Sequence, residues 1–278
     1  MENSYWHICT DGLSREIIFK SEADFIFGMN GVPVCSFHFG VRIMAFCLMS
    51  NHVHFITYGS GTGCKGFIRG YRKRLSCLTD MHAASVSIKL IDDTDYLMKA
   101  IGYVLRNPVG AGEKVLPTTY RWGSGPLYFN DARTVCGTPV SAISKNQRQK
   151  LIRSHLALPE HCIITPEGMV DPGGYVDYRT VESLYGHPGR FLYHLSRRDD
   201  MEMELTGDIL HKTSYTDAEL LASVSDICSQ VFKRKDPAEL SIENRFKLAG
   251  ILRKRYGLGP KQLGRLAKVD PDLLREML

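Results

Sequence analysis

The chain has 278 residues, a hydrophobic fraction of 44%, a charged fraction of 23% and a formal net charge of +5. That length suits one large domain or two to three small ones, and the composition is that of ordinary globular proteins, which excludes a disordered or fibrous chain. The charge is too mild to indicate nucleic acid by itself, and no apolar stretch approaches the ~18 residues of a membrane span, so no membrane partner is expected.

The cysteines, Cys9, Cys35, Cys47, Cys64, Cys77, Cys136, Cys162 and Cys228, form no Cys-x-x-Cys pair, which argues against a zinc ribbon or a thioredoxin-like motif. The opening MENSYWHICT lacks the basic start and apolar run of a secretory signal. A reduced, cytoplasmic protein with cysteines as small core residues is the expectation.

In chain order, residues 5–10 (YWHICT) read as a short strand. Ser21 caps a helix expected over about 22–29, and the stretch to Gly40 is ambiguous because Gly31 and Pro33 interrupt it. Residues 41–49 (VRIMAFCLM) and 52–58 (HVHFITY) are runs of strand length, and Ser50-Asn51 suits a tight turn between them. Residues 64–81 predict an amphipathic helix, with Ile68, Tyr71, Leu75 and Leu78 on one face and Lys65, Arg69, Arg72 and Lys73 on another. Residues 86–91 (VSIKLI) alternate like a strand. A further helix is expected from Asp92, Asp93 or Thr94 to about Arg106, stopping before Pro108. The order predicts an α+β fold with a ferredoxin-like β-α-β-β-α-β core and an antiparallel sheet.

Beyond it, residues 123–145 read as a linker and 146–200 as a connecting region without clear periodicity. From Tyr215 the pattern is helical, over 216–232, 241–256, 260–268 and 271–277. The expected domains are a catalytic domain over 1–130, a connector over 131–214 and a helical domain over 215–278.

The chemistry gathers at His52, His54, Tyr103 and Asn107. Residues i and i+2 of a strand share a face, so His52 and His54 project together and Val53 packs inward. Residues i and i+4 of a helix share a face, so Tyr103 and Asn107 point at one site. Two neutral imidazoles and an amide oxygen suit a divalent cation with positions left open for substrate oxygens. Any of these residues alone is commonly structural: a Tyr on an amphipathic helix is usually core, and Asn107-Pro108 reads as a helix end. Their joint occurrence carries the reading.

CLMSNHVHFI (47–56) and IGYVLRNPVGAG (101–112) resemble the two signature segments of single-tyrosine HUH transposases, and are most similar to the branch associated with repetitive extragenic palindromes. TTYRWGS (118–124) is similar to a short segment that often follows that core. The resemblance covers about residues 1–130. It implies a nucleophilic Tyr103 and a metal, Mg2+ or Mn2+, on His52, His54 and Asn107, where the imidazoles alone would also suit zinc. It further implies a 5′-phosphotyrosine intermediate, with a bacterial, nucleoid-associated enzyme acting on single-stranded or hairpin DNA as monomer or homodimer. Val109-Gly110-Ala111 departs from the family's Val-Arg-Ala, so a basic DNA contact is missing there. Tyr96 and Tyr120 are the other nearby tyrosines, and neither has an amide residue four positions later.

Lys65, Arg69, Arg72 and Lys73 form a basic stripe expected to meet the DNA backbone. Residues 241–268 carry Arg245, Lys247, Arg253, Lys254, Arg255, Lys261, Arg265 and Lys268 against a single acid, Glu243. That segment resembles the helical DNA-binding domain of the bacterial replication initiator or another helix-turn-helix, so Arg245, Arg253, Lys254, Arg255, Lys261 and Arg265 are expected at DNA. Two other classes remain open at this point. One is a non-catalytic nucleic-acid-binding regulator with the same core. The other is a zinc hydrolase, which needs a further ligand for which His7 and Asp95 are loose candidates.

Overall fold

Val53 sits between two histidines, and the strand's alternation sends it to the opposite side of a sheet. A computed structural model describes residues 2–10, 17–79, 86–111, 115–196, 217–256 and 258–277. Strands β1 (Ser4–Thr10), β2 (Arg42–Met49), β3 (His52–Gly59) and β4 (Val86–Ile91) form one antiparallel sheet in the order β2-β3-β1-β4. Helices α1 (Glu22–Phe39), α2 (Gly61–Leu75) and α3 (Thr94–Gly110) follow β1, β3 and β4. The core is thus mixed α and β, in the element order β-α-β-β-α-β plus one helix.

Both faces of the sheet are covered. On one, α1 and α2 close over Ile8, Phe46, Leu48, Val53 and Phe55 with Phe67, Ile68 and Tyr71. On the other, α3 lays Leu97, Met98, Ile101 and Val104 against Ala45, Cys47 and Ile56.

Two helices run further than the sequence suggests. Helix α1 starts at a capping box, in which Ser21 and Asp24 each bond the other's backbone N–H, and ends only at Gly40, whose φ of 62° supplies the left-handed cap. Gly31 does not break it, because its role is close approach: a Cβ there would stand 3.0 Å from the Tyr71 ring of α2. Pro33 is carried inside the same helix. Helix α3 continues through Pro108 to Gly110, so Asn107 is interior rather than terminal. Proline removes the N–H that would meet Val104, and Ala111 N–H still reaches Asn107 O at 2.9 Å. Packing of the buried Pro108 holds what propensity disfavours.

The stretch expected as linker and connector packs into this core. It contains α4 (Lys145–Ile152), α5 (Tyr178–Tyr185), α6 (Pro188–Ser196) and the short pair β5 (Thr138–Pro139) and β6 (Ile163–Ile164). Val140, Ile152, Cys162 and Tyr175 extend the core on the α1/α2 side, and Val181, Tyr185 and Phe191 extend that on the α3 side. Polar ties fix it: Asn30 donates to Gly168 O at 2.9 Å and accepts from Val170 N at 2.7 Å, and the Tyr185 hydroxyl donates to Met98 O at 2.6 Å. Backbone bonds from Leu48 N to Trp122 O and from Asp177 N to Ile43 O cover the outer edge of β2, which would otherwise be open to pairing. The low periodicity of this stretch reflects short elements whose apolar residues serve another core. The part of the expected connector beyond residue 196, with Tyr215 and Thr216, lies outside the described residues.

Helices α7 (Asp217–Phe232), α8 (Ile242–Tyr256), α9 (Pro260–Ala267) and α10 (Pro271–Met277) follow the predicted helical pattern. They share their own core, with Leu220, Val224, Leu248, Leu252, Leu263 and Leu274. Among the described residues no helix is long and apolar enough to cross a membrane.

Candidate active site

His54 occupies the middle of the sheet, with Cys47 of β2 on one side and Cys9 of β1 on the other. His52 follows on the same face, opposite Met49. Both project toward α3, where Tyr103 and Asn107 lie one turn apart. The Tyr103 ring stands edge-on to the His54 ring at 5.6 Å between centroids, and the His52 and His54 rings are 4.8 Å apart. The four residues that sequence reasoning puts together are therefore neighbours across the interface of β3 and α3.

Asn107 is oriented by the helix itself. Its Nδ2 donates to the Tyr103 carbonyl at 3.0 Å. That leaves the carboxamide oxygen for the imidazoles, and Asn107 hydrogen bonding favours the charged form of both His52 and His54. Burial acts more strongly in the other direction. It brings His52 down to about 4, helped by the positive charge of Arg265. It brings His54 well below its ordinary value, helped by His52 and His7. Both rings are neutral at pH 7, the form that ligates metals.

His7 completes the cluster. Its ring lies 6.0 Å from the Tyr103 ring, and its Nε2 is 3.4 Å from His54 Nδ1. Burial, with Lys89 nearby, brings its pKa to about 4. His7 thus meets the Nδ1 side of His54, whereas Nε2 of His54 is buried with no hydrogen-bond partner of good geometry. A buried ring nitrogen without a partner costs about 1–3 kcal/mol, and this one is turned toward the side where Asn107 lies. With its proton on Nδ1, accepted by His7, His54 presents an Nε2 lone pair. This is the arrangement by which a neighbouring group fixes the tautomer of a metal-binding histidine. Among the described residues no three His, Cys, Asp or Glu side chains converge as a metal cluster. The side chains here that could offer donors to a cation are the His52 and His54 imidazoles and the Asn107 carboxamide oxygen.

The expected DNA-contacting residues are not gathered here. Lys65, Arg69 and Lys73 are exposed and Arg72 half-buried on α2, which packs on the opposite face of the sheet from the histidines. Arg245 is bound to backbone carbonyls within the C-terminal helices, reaching Ala238 O at 2.6 Å, Leu240 O at 3.0 Å and Lys268 O at 3.3 Å. Arg253 is exposed on α8 and Lys261 half-buried on α9, while the side chains of Lys254 and Arg255 lie outside the described residues. Arg265 comes to the histidine site: it pairs with Asp217 at 2.6 Å and 3.2 Å and lies against Asn51. Tyr120 is buried, its hydroxyl donating to Leu48 O at 2.8 Å, and Tyr96 lies under Lys89. Asp95 pairs with Lys99 at 2.9 Å on the surface.

Sequence reasoning misses Asn51 and Asp217 and gives His7 only a loose role. Asn51 directly precedes His52, so its proximity is legible. His7 needs the pairing of β1 with β3, and Asp217 needs the docking of a unit more than 150 residues away in sequence.

No family model and no curated protein matches the chain. Among solved structures it is similar to a REP-associated tyrosine transposase bound to a REP hairpin. The TM-score is 0.39 and the identity 11%, over 49% of this chain and 84% of the other.

Proposed function

We propose that this chain is a metal-assisted enzyme that cuts and rejoins single-stranded DNA through Tyr103, on a core we read as ferredoxin-like. One observation carries the reading. Tyr103, His52, His54 and the oxygen side of Asn107 meet at one place, where Nε2 of His54 is buried without a hydrogen bond of good geometry.

Tyrosine, with an ordinary pKa of ~10, is a poor nucleophile at neutral pH. A divalent cation held by His52, His54 and Asn107 would polarise the scissile phosphate and stabilise the charge that develops on it. The rest falls to the chain's own groups. Tyr103 Oη forms a bond to phosphorus as its proton leaves. The bond from phosphorus to the 3′ oxygen breaks, and that oxygen takes up a proton as a 3′-hydroxyl. The strand's 5′ phosphate stays on Tyr103, and attack by a 3′-hydroxyl reverses the step. The bond energy is conserved in the phosphotyrosine, so rejoining needs no nucleotide. Its position on the interior of α3, one turn from Asn107, keeps the phenol in register with the donor set. The resemblance of the two motif segments favours Mg2+ or Mn2+ over zinc. His7 weakens the zinc-hydrolase alternative, since it meets the Nδ1 side of His54 instead of supplying a third ligand beside Nε2.

The test is incubation of the purified chain with hairpin-bearing single strands and Mn2+, scoring covalent protein–DNA adducts on denaturing gels. Tyr103→Phe removes only the hydroxyl, so adducts should vanish while DNA binding persists. Adducts that survive in Tyr103→Phe would remove Tyr103 from its role.

A further inference from the structure

We propose that Asn51, held by Asp217 and Arg265 of the C-terminal helices, is the positioning residue for His52, and that docking of those helices opposes metal binding there. Asn51 is 7% exposed and lies in the turn between β2 and β3. Its carboxamide is 2.9 Å from His52 Nδ1. Only one amide orientation satisfies both neighbours. In it Oδ1 accepts from Arg265 Nη1 at 3.1 Å and Nε at 3.3 Å, and Nδ2 donates to His52 Nδ1. Arg265 is held in turn by Asp217, whose side chain is 1% exposed, through Nε at 2.6 Å and Nη2 at 3.2 Å.

The consequence is chemical. A neutral imidazole carries one proton. When Nδ1 accepts a hydrogen bond, that proton is on Nε2, and an N–H has no lone pair for a metal. For Nε2 of His52 to ligate, Nδ1 must carry the proton and donate it to Asn51 Oδ1. Turning the amide that way sets its NH2 group against the Arg265 guanidinium, donor against donor. Arg265 must then withdraw, leaving Asp217 in search of another partner. His54 has no such constraint, because its Nδ1 faces His7 Nε2, which accepts readily. The two histidines of one motif thus differ: His54 is set for a ligand, and His52 is set by the C-terminal helices. The charge of Arg265 beside the site acts in the same sense.

The positioning half stands by itself, and the opposition to metal rests on the reading of His52 as a ligand. Both are tested on the full chain. Long-range 15N–1H spectra of the metal-free protein report ring tautomers, with His52 assigned by its loss in His52→Gln. The expected result is an Nε2–H tautomer in the wild type, moving toward Nδ1–H in Arg265→Leu. Arg265→Leu leaves a buried carboxylate unpaired and can loosen the fold. Asn51→Asp avoids this, since a carboxylate accepts from Arg265 and His52 alike and should give the Nδ1–H tautomer with the helices still docked. Titration with Mn2+, followed by the signal of the free ion, should show both variants binding about tenfold tighter. An Nδ1–H tautomer in the wild type, or one unmoved in both folded variants, would overturn the positioning role. Tautomers that move with Mn2+ affinity unchanged would overturn the opposition. If Mn2+ binds none of the three chains while the tautomers move, the metal reading fails and Asn51 keeps its role.

Discussion

The two faces of the four-stranded sheet share every strand and are put to different uses. On the α1/α2 face, β3 contributes Val53 and Phe55 to a core with Phe46, Phe67 and Tyr71. On the α3 face, one residue to either side, the same strand presents His52 and His54. The first face gains stability from dispersion and the hydrophobic effect. The second gives some of that up, burying the His54 imidazole and half-burying those of His7 and His52 where apolar side chains would pack without desolvation cost. The comparison predicts that substitutions on the two faces fail in different ways.

The largest effect is expected on the α3 face. His52→Ala and His54→Ala should each lower cleavage by at least about a thousandfold, with the far-ultraviolet spectrum and DNA binding retained, and a chelator should do the same to the wild type. Full cleavage in excess chelator would break the comparison, leaving the histidines as acid–base groups or as structure. The opposite face should show the converse. Phe55→Ala removes a fully buried ring packed edge-on to Phe67 and Tyr71 and should cost about 3–5 kcal/mol in a denaturant melt. The fraction that remains folded should still form the Tyr103 adduct at low temperature. A folded Phe55→Ala chain without activity would show that the two faces are coupled.

Acid sharpens the contrast. His7 and His52 are pushed down to about 4 by burial, and His54 well below its ordinary value. The unfolded chain binds a proton at each ring below about 6.5, while the folded metal-free chain resists. This contribution to stability is therefore complete above about pH 6.5 and is lost as the pH falls toward about 4. Each ring kept neutral adds about 1.4 kcal/mol per pH unit to the slope in that window. Denaturant melts across the window should show His7→Gln flattening the slope without touching the Phe55 side. An unchanged slope would mean that His7 titrates normally.

Much of this architecture is legible in the amino-acid sequence. The strands at 5–10, 41–49 and 52–58 differ from those observed by a residue or so, because β-branched and aromatic runs of that length have few other uses. Period-two and period-four spacing also brings His52, His54, Tyr103 and Asn107 to one place. The errors have local causes. Pro33 and Pro108 look like punctuation, yet both are packed within helices. Residues 131–196 lack periodicity because their elements are too short to show one. The basic stripe on α2 belongs to the same small core as the histidines, which suggests a shared surface, but a sheet lies between them. That distinction depends on strand order, which no local pattern carries.

The smallest expected effect decides where the strand runs, and it tests the two faces most directly. If DNA stays on the α3 face, removing Lys65, Arg69 and Lys73 together should leave its salt dependence unchanged. If the strand wraps to the α2 face, each lost phosphate contact takes about 0.7 of a unit from the log–log slope on single strands, so three take about 2. The C-terminal helices need a separate comparison, because Arg245 is committed to backbone carbonyls and Arg265 to Asp217. A chain ended near 130–140 would lose Val140, Ile152, Val181 and Phe191 from the two cores and should not fold, so the cut belongs after Ser196. That chain keeps the Tyr103 site and both cores. If the helices bind DNA, it should show weaker binding and a shallower slope than the full protein, with adduct formation still seen at high strand concentration. Equal affinity and slope would remove DNA binding from the helices and leave their contact with Asn51 as their link to the site.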